Sequence, residues 1–433
     1  MRIRRSAAVY QTGTSVLHIL KWTGIAVLVG VITGMAAVLF SGALNWGIEV
    51  LAPLGRDRWL YVLPVFGLLL SGLITSVFAP EAAGHGTDSA IRAYNLRWGY
   101  MGLLTVPVKL VASVLTIASG GSAGREGPTV QMGAALGYWL GKTLGLSLQE
   151  IRKVVMCAMA AAFGSIFTAP IAGGLFGAEV LYRDDVEYNN LLESFISSIS
   201  AFYIYSVVMG RERLFAFYAP GDFTFHPQRD ILYFLVFGVG VGIVSLMYIK
   251  ALYGFEHLSG RLPITPWMRT AFGGLLTGLT AIIATPLVLG TGIPLVEKLM
   301  LEQVPWRMIL LLLLGKIAAT AFTVGSGASG GVVAPSLTLG ALTGALLASV
   351  IAYPFPEMVI AVSSVGLLGA AAHIPITAVV MAVEILGVDL IKPVTIVCFI
   401  GASIARNDSL FRQARVSHIE QARASHHFDQ RPL

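Results

Sequence analysis

Glu126 is a carboxylate in an expensive place. It lies in Gly124-Arg125-Glu126-Gly127-Pro128, between two short apolar runs, 110–124 and 127–141. Acids at such depth in an apolar chain are costly and mark function. The glycine-rich break around it is one of three, with Gly84-His85-Gly86 and the stretch 325–335. Each precedes sequence able to start a helix, and Pro128 and Pro335 suit a first turn. A helix start presents unpaired N–H groups and about half a positive charge. Several such starts meeting at one point make an anion site. Backbone amides can replace part of a halide's hydration shell, whereas a full lysine charge would trap the ion. A carboxylate on such a break competes with the anion and leaves when protonated, so Glu126 reads as a gate and a proton acceptor. Taken alone, the glycines read equally well as close-packing positions between helices. Glu126 alone could be a membrane-edge acid paired with Arg125. The acid falling on the break favours the anion site.

The elements that position these groups are duplicated. Residues 109–137, KLVASVLTIASGGSAGREGPTVQMGAALG, align without gaps to residues 316–344, KIAATAFTVGSGASGGVVAPSLTLGALTG, at an offset of 207. Identities include Lys109/Lys316, Thr116/Thr323, Ser122/Ser329, Gly124/Gly331, Pro128/Pro335 and Gly137/Gly344. Gly84-His85-Gly86 matches Gly290-Thr291-Gly292 at 206, and Pro170 with Glu179 matches Pro375 with Glu384 at 205. Three ordered matches at nearly one offset make this a duplicated chain. Val333 stands opposite Glu126, so the repeat does not require the acid. Duplicated membrane proteins with broken helices read as transporters or channels, with the solute site where the halves meet.

Composition agrees. The 433 residues are 56% hydrophobic and only 12% charged, with mean hydropathy +0.77. A soluble chain needs about 25% charged residues. Gly reaches 48, against roughly 30 at average usage. Runs without Lys, Arg, Asp or Glu at 22–48, 59–80, 154–178, 231–249, 270–296, 317–356 and 358–383 approach or exceed the roughly 20 residues of a membrane span. Shorter runs, such as 194–210 and 393–405, suggest helices that stop inside the bilayer. The expected fold is an all-α polytopic membrane protein of roughly ten to eighteen helical pieces. We divide it into an N-terminal segment (1–19), a first membrane repeat (20–210), an inter-repeat loop (211–229), a second repeat (230–415) and a short tail (416–433), with no room for a folded C-terminal domain. Arginines at both ends, including Arg2, Arg4, Arg5, Arg406 and Arg412, put both termini in the cytoplasm. Cys157 and Cys398 lie in apolar runs and form no disulfide framework or metal site. No cofactor, metal, nucleic acid or enzyme motif is expected. His373 reads as a packed residue on the helix carrying Glu384, Tyr203 and Tyr205 as packing residues, and residues 215–225 as an interfacial loop.

At this point the residues carry a resemblance. Gly124-Arg125-Glu126-Gly127-Pro128 resembles the second signature of the CLC chloride channels and chloride/proton antiporters. Gly330-Gly331-Val332-Val333-Ala334-Pro335 is similar to the third, and Gly84-His85-Gly86-Thr87-Asp88-Ser89 to a degenerate first. The order holds from about residue 20 to residue 415. The resemblance implies two inverted-topology repeats of broken, tilted helices in a bacterial inner membrane. It implies a homodimer with one anion pathway per subunit, its contact near 170–182, 191–208 and 375–397. It also implies Glu126 as the gating glutamate. Anion ligands would be His85, Gly86, Arg125, Gly127, Val332, Val333, Ala334 and Phe411.

Departures from the family pattern matter at three places, the first signature, residue 411 and residue 180. His85 replaces the usual serine, and its imidazole can donate from one or both ring nitrogens, making the inner site pH-sensitive. Alternatively its ring points away and a backbone amide does the work. Asp88-Ser89 replaces Pro-Glu. Phe411 replaces a tyrosine and has no hydroxyl for the inner anion. The internal glutamate of the antiporters aligns with Val180, and Glu179, one residue earlier, falls about 100° round the helix. Glu179 therefore reads as a structural or packing residue, like its repeat partner Glu384, and the proton path through Glu179 and Val180 is in doubt. These departures favour passive, pH- and voltage-sensitive chloride conduction gated by Glu126. Chloride/proton antiport is the alternative, and another anion such as fluoride or nitrate the third reading.

Overall fold

The computed structural model describes residues 2–54, 58–210, 223 and 225–415, with side chains from residue 16. The expected tail, and all but 223 and 225–229 of the inter-repeat loop, lie outside the described residues. The described chain holds sixteen α-helices. In the first half these are α1 (Arg2–Leu51), α2 (Leu63–Phe78), α3 (Thr87–Leu96), α4 (Thr105–Ala118), α5 (Glu126–Thr143), α6 (Leu148–Ile166), α7 (Pro170–Glu179) and α8 (Leu191–Met209). The second half has α9 (Pro227–Gly260), α10 (Pro266–Ile283), α11 (Ile293–Leu301), α12 (Trp306–Gly325), α13 (Val333–Ile351), α14 (Pro356–Ala372), α15 (Pro375–Leu386) and α16 (Ile391–Ala405). The eight helices of one half recur in order in the other. Prolines begin many of them, for example α7, α9, α10, α14 and α15, where the missing N–H has no helical partner to lose. Among the described residues, seven helical stretches are long and apolar enough to cross a membrane, including Val16–Leu51, Pro227–Gly260 and Trp306–Gly325.

Four apolar runs are each divided. The run 154–178 breaks at Thr168 (φ 51°) and 358–383 at His373 (φ 55°), equivalent positions at the repeat offset of 205. His373 therefore caps α14 in a left-handed conformation and is not on α15 with Glu384. The run 270–296 divides between α10 and α11, and 317–356 divides at 326–332. Tyr205 is packed, its hydroxyl donating to Ser41 Oγ at 3.0 Å. Tyr203 is 66% exposed, so it faces outward instead of packing.

The halves lock through contacts made twice. Gly124 N–H donates to the Gly331 carbonyl at 2.8 Å, and Gly331 N–H donates back at 2.7 Å. A reciprocal pair between equivalent residues needs a local two-fold axis between them. The same axis relates the hydrogen bond between Ser113 Oγ and Ser329 Oγ (2.9 Å) to the one between Thr320 Oγ1 and Ser122 Oγ (2.8 Å). Glu179 accepts from the amides of Ile376 and Thr377 at 3.0 and 2.7 Å and from the Thr377 hydroxyl. Glu384 accepts from Ile171 and Ala172 at 2.9 and 2.8 Å. Each acid thus caps the start of the helix carrying the other. Lys109 Nζ donates to the carbonyls of Ala82 (3.0 Å) and Gly84 (2.7 Å), while Lys316 Nζ donates to Val288 (3.0 Å) and Gly290 (2.9 Å). Both lysines are 0% exposed, and each clamps the glycine turn that begins α3 or α11.

The two caps differ in burial, Glu179 being 5% exposed and Glu384 half-buried. Glu179→Ala should lower stability by about 3 kcal/mol, and Glu384→Ala by about half that. Thermal unfolding of the detergent-solubilised protein checks this, and equal melting temperatures for Glu179→Ala and wild type would refute the capping role.

Candidate anion site

Helices α5 and α13 begin back to back across the Gly124–Gly331 pair. Both starts are buried on every side, from Glu126 to Ala135 and from Val333 to Ala345 with few exceptions, as suits helices at the centre of a membrane protein. Glu126 is the first residue of α5 and 4% exposed. Its Oε2 accepts from the Ala334 amide at 3.3 Å. The carboxylate of one half therefore sits on the helix start of the other, where an anion would bind. A Cβ on Gly124 would overlap that oxygen, so the glycine leaves the carboxylate its place. The Arg125 charge acts on Glu126, and the Arg125 carbonyl accepts from the Thr129 amide and hydroxyl.

A third helix start meets these two. Gly86, at φ 86°, turns the chain into α3 in a conformation that glycine adopts without strain. A side chain on Gly86 would press on the Gly127 carbonyl, and one on Gly127 would overlap the His85 carbonyl. The start of α3 thus packs directly on the start of α5. The ring of His85 faces that of Phe411, with centroids 6.1 Å apart and planes at 35°. The His85 ring thus lies against the Phe411 segment. Its Nδ1 is sealed from solvent without a hydrogen-bond partner, while the residue as a whole keeps partial exposure.

Phe411 is 1% exposed and reaches the site on a segment stitched to both halves. Leu410 N–H donates to Ala371 O (2.8 Å), and Tyr253 Oη donates to Leu410 O (2.5 Å). Gln413 N–H donates to Asp88 Oδ1 (2.8 Å), and Asn95 Nδ2 donates to Gln413 O (3.1 Å). Arg183 N–H donates to Arg415 O, and Arg415 N–H to Leu181 O. Asp88, a departure from the family pattern, is thus the residue that ties α3 to the Phe411 segment. On the far side, Tyr248 Oη donates to the Val332 carbonyl at 3.2 Å, holding the turn into α13.

The structure gathers His85, Gly86, Arg125, Glu126, Gly127, Val332, Val333, Ala334 and Phe411 around these three starts. Glu179 is apart from them, its carboxylate accepting from the start of α15, and Val180 is a buried cap of α7. The fourth glycine turn, Gly290-Thr291-Gly292, packs against Thr338 and Lys316. Sequence reading did not assign roles to Lys109, Asp88, Tyr248 or Tyr253. The Lys109/Lys316 identity and the departure at Asp88 were the available signals among them. Among the described residues, no group of three or more His, Cys, Asp or Glu is arranged to hold a metal.

Residues 66–406 match the family model described as voltage gated chloride channel. An uncharacterised protein of Methanocaldococcus jannaschii is 30% identical over 92% of this chain and 97% of its own. A chloride/fluoride channel protein of Pseudomonas syringae is 28% identical over 94% and 89%. An H(+)/Cl(-) exchange transporter of Cronobacter sakazakii is 30% identical over 88% and 85%. The crystal structure of a CLC-type fluoride/proton antiporter superposes with a TM-score of 0.84 at 23% identity, over 93% of this chain and 99% of the other. With its inverted repeat, its three converging helix starts and a glutamate on the central one, this integral membrane chain belongs to the voltage gated chloride channel family, the CLC proteins of anion transport.

Proposed function

We propose that this chain exchanges chloride for protons across a bacterial inner membrane, as a homodimer with both termini cytoplasmic. The observation that carries the reading is the Glu126 carboxylate on the Ala334 amide at the start of α13. Anion and carboxylate compete for one set of N–H groups. Protonation removes the negative charge that holds the side chain there, the neutral acid swings out, and an anion takes its place. Loss of the proton on the other side returns the carboxylate and drives the anion on. One proton thus moves against the anions, and the amides of Gly127, Val333 and Ala334 hold the ion without fixing a full countercharge beside it. His85, Gly86 and Phe411 form the next station along the same path. The exchanger from Cronobacter and the antiporter structure support coupling. Passive conduction is the second reading. Phe411 has no hydroxyl to hold the inner anion, Val180 cannot carry a proton, and the Pseudomonas relative is called a channel.

Purified protein in liposomes separates the two. With a chloride gradient and the membrane voltage held near zero by potassium and an ionophore, exchange drives protons uphill and a channel does not; with exchange, a pH gradient at fixed chloride also moves the reversal potential. A reversal potential that follows chloride alone means a channel. In the exchange reading, Glu126→Gln keeps chloride flux and reduces proton movement to background.

Phe411→Tyr offers the inner anion one neutral hydrogen bond worth about 1 kcal/mol, which should tighten chloride binding by about fivefold. Calorimetric titration with chloride measures it. An unchanged dissociation constant would mean that the ring at 411 does not face the ion.

A further inference from the structure

Exchange needs a group that takes up protons on the side of Glu126 where Phe411 lies. The position where the antiporters of this family usually carry an internal glutamate is Val180, and Glu179 is committed to the amides of Ile376 and Thr377. We infer that His85 is this group: it binds a proton together with the inner anion and passes it to Glu126. The inference rests on the exchange reading.

Four observations carry it. His85 is the titratable side chain that α3 brings to the anion site, and its backbone packs on Gly127, next to Glu126. Its Nδ1 is buried without a partner, so no protein acceptor fixes the tautomer or engages that nitrogen. The residue keeps partial exposure, as a group loaded from water must. Lys109, with its ammonium on the Gly84 carbonyl, sets a positive charge behind it.

That charge makes the uptake conditional. Of the other charged groups near this end of α3, Asp88 accepts from Gln413, Arg92 acts on Asp88 from within α3, Arg412 lies 3.4 Å over the Tyr253 ring and acts on Glu256, and Glu126 is on Ala334. An imidazolium beside the Lys109 ammonium, in a poorly solvated place, needs a countercharge. An anion that has arrived from the Glu126 side supplies it. The imidazole gains a proton from water on the Phe411 side while the anion is present. The imidazolium then gives that proton to the Glu126 carboxylate, directly or through one water, leaving neutral imidazole and neutral acid. The anion loses its countercharge and departs past Phe411. Proton and anion thus cross the site in opposite directions.

The test compares wild type with His85→Asn, which keeps an N–H donor but cannot titrate, and with His85→Ser, which restores the family's usual residue. Each is reconstituted in liposomes, and chloride flux and chloride-driven proton uptake are recorded from pH 5 to 8. Both variants should lower the number of protons taken up per chloride moved by at least tenfold, proton uptake falling further than chloride flux. Val180→Glu added to His85→Asn should restore uptake by supplying a carboxylate. Proton uptake at the wild-type level in either single variant overturns the inference and leaves exchange intact. Loss of chloride flux and proton uptake together in both variants overturns it too, since His85 is then an anion ligand only. Wild type that moves no protons overturns the exchange reading and this inference with it.

Discussion

Two hydrogen bonds between Gly124 and Gly331 put the starts of α5 and α13 against each other with their amides unspent. Everything at the centre follows from that pairing. A helix start in a poorly polar medium carries partial positive charge that water cannot screen well. Two starts side by side repel, and the arrangement persists only if something negative lies between them. In this structure the Glu126 carboxylate does so. An anion can replace it because both meet the same need. Glycine is required on both sides of the junction, because a Cβ on Gly331 would crowd the Gly124 carbonyl and the Gly127 amide.

Duplication builds this junction, and function breaks its symmetry. The scaffold contacts come in equivalent pairs: the serine and threonine hydroxyls, the two lysine clamps, and the two glutamate caps. The working residues do not. In the repeat, Val333 takes the place of Glu126, and Thr291 the place of His85. The turn at Thr291 is clamped by Lys316 as firmly as the His85 turn is clamped by Lys109, yet it packs against Thr338. A symmetric arrangement would present two like carboxylates to one ion, which costs energy when both are charged. One acid and one valine leave a single gate.

How much of this could be read in the sequence depended on whether the signal was local. The repeat, the three helix starts and Glu126 were legible because glycine, proline and an acid at fixed spacing are local statements. The breaks at Thr168 and His373 were not, since neither residue favours the left-handed region. The proline two positions on keeps Ala169 and Ile374 out of the helical region and so ends the preceding helix, while the left-handed turn just before them is set by tertiary packing. Glu179 was legible as structural through its match to Glu384, but its partners lie 197 and 198 residues away, a distance no local pattern encodes. The lysine identity was visible and its meaning was not. Only the fold shows that each ammonium replaces water for two carbonyls at the mouth of a glycine turn.

Those lysines also bear on how an acid can work at this depth. A lone carboxylate in a low-dielectric interior is strongly disfavoured. Here Glu126 has two helix starts and Arg125 around it, and Lys109 stands behind the neighbouring turn. None of these is a direct salt bridge. A tight ion pair would hold the carboxylate in place and stop the gate. Partial charges from amides, with full charges held one layer back on carbonyls, stabilise an anion without fixing which anion it is. Carboxylate and halide can then exchange at nearly equal energy, so the state of the path is decided by a single proton on Glu126.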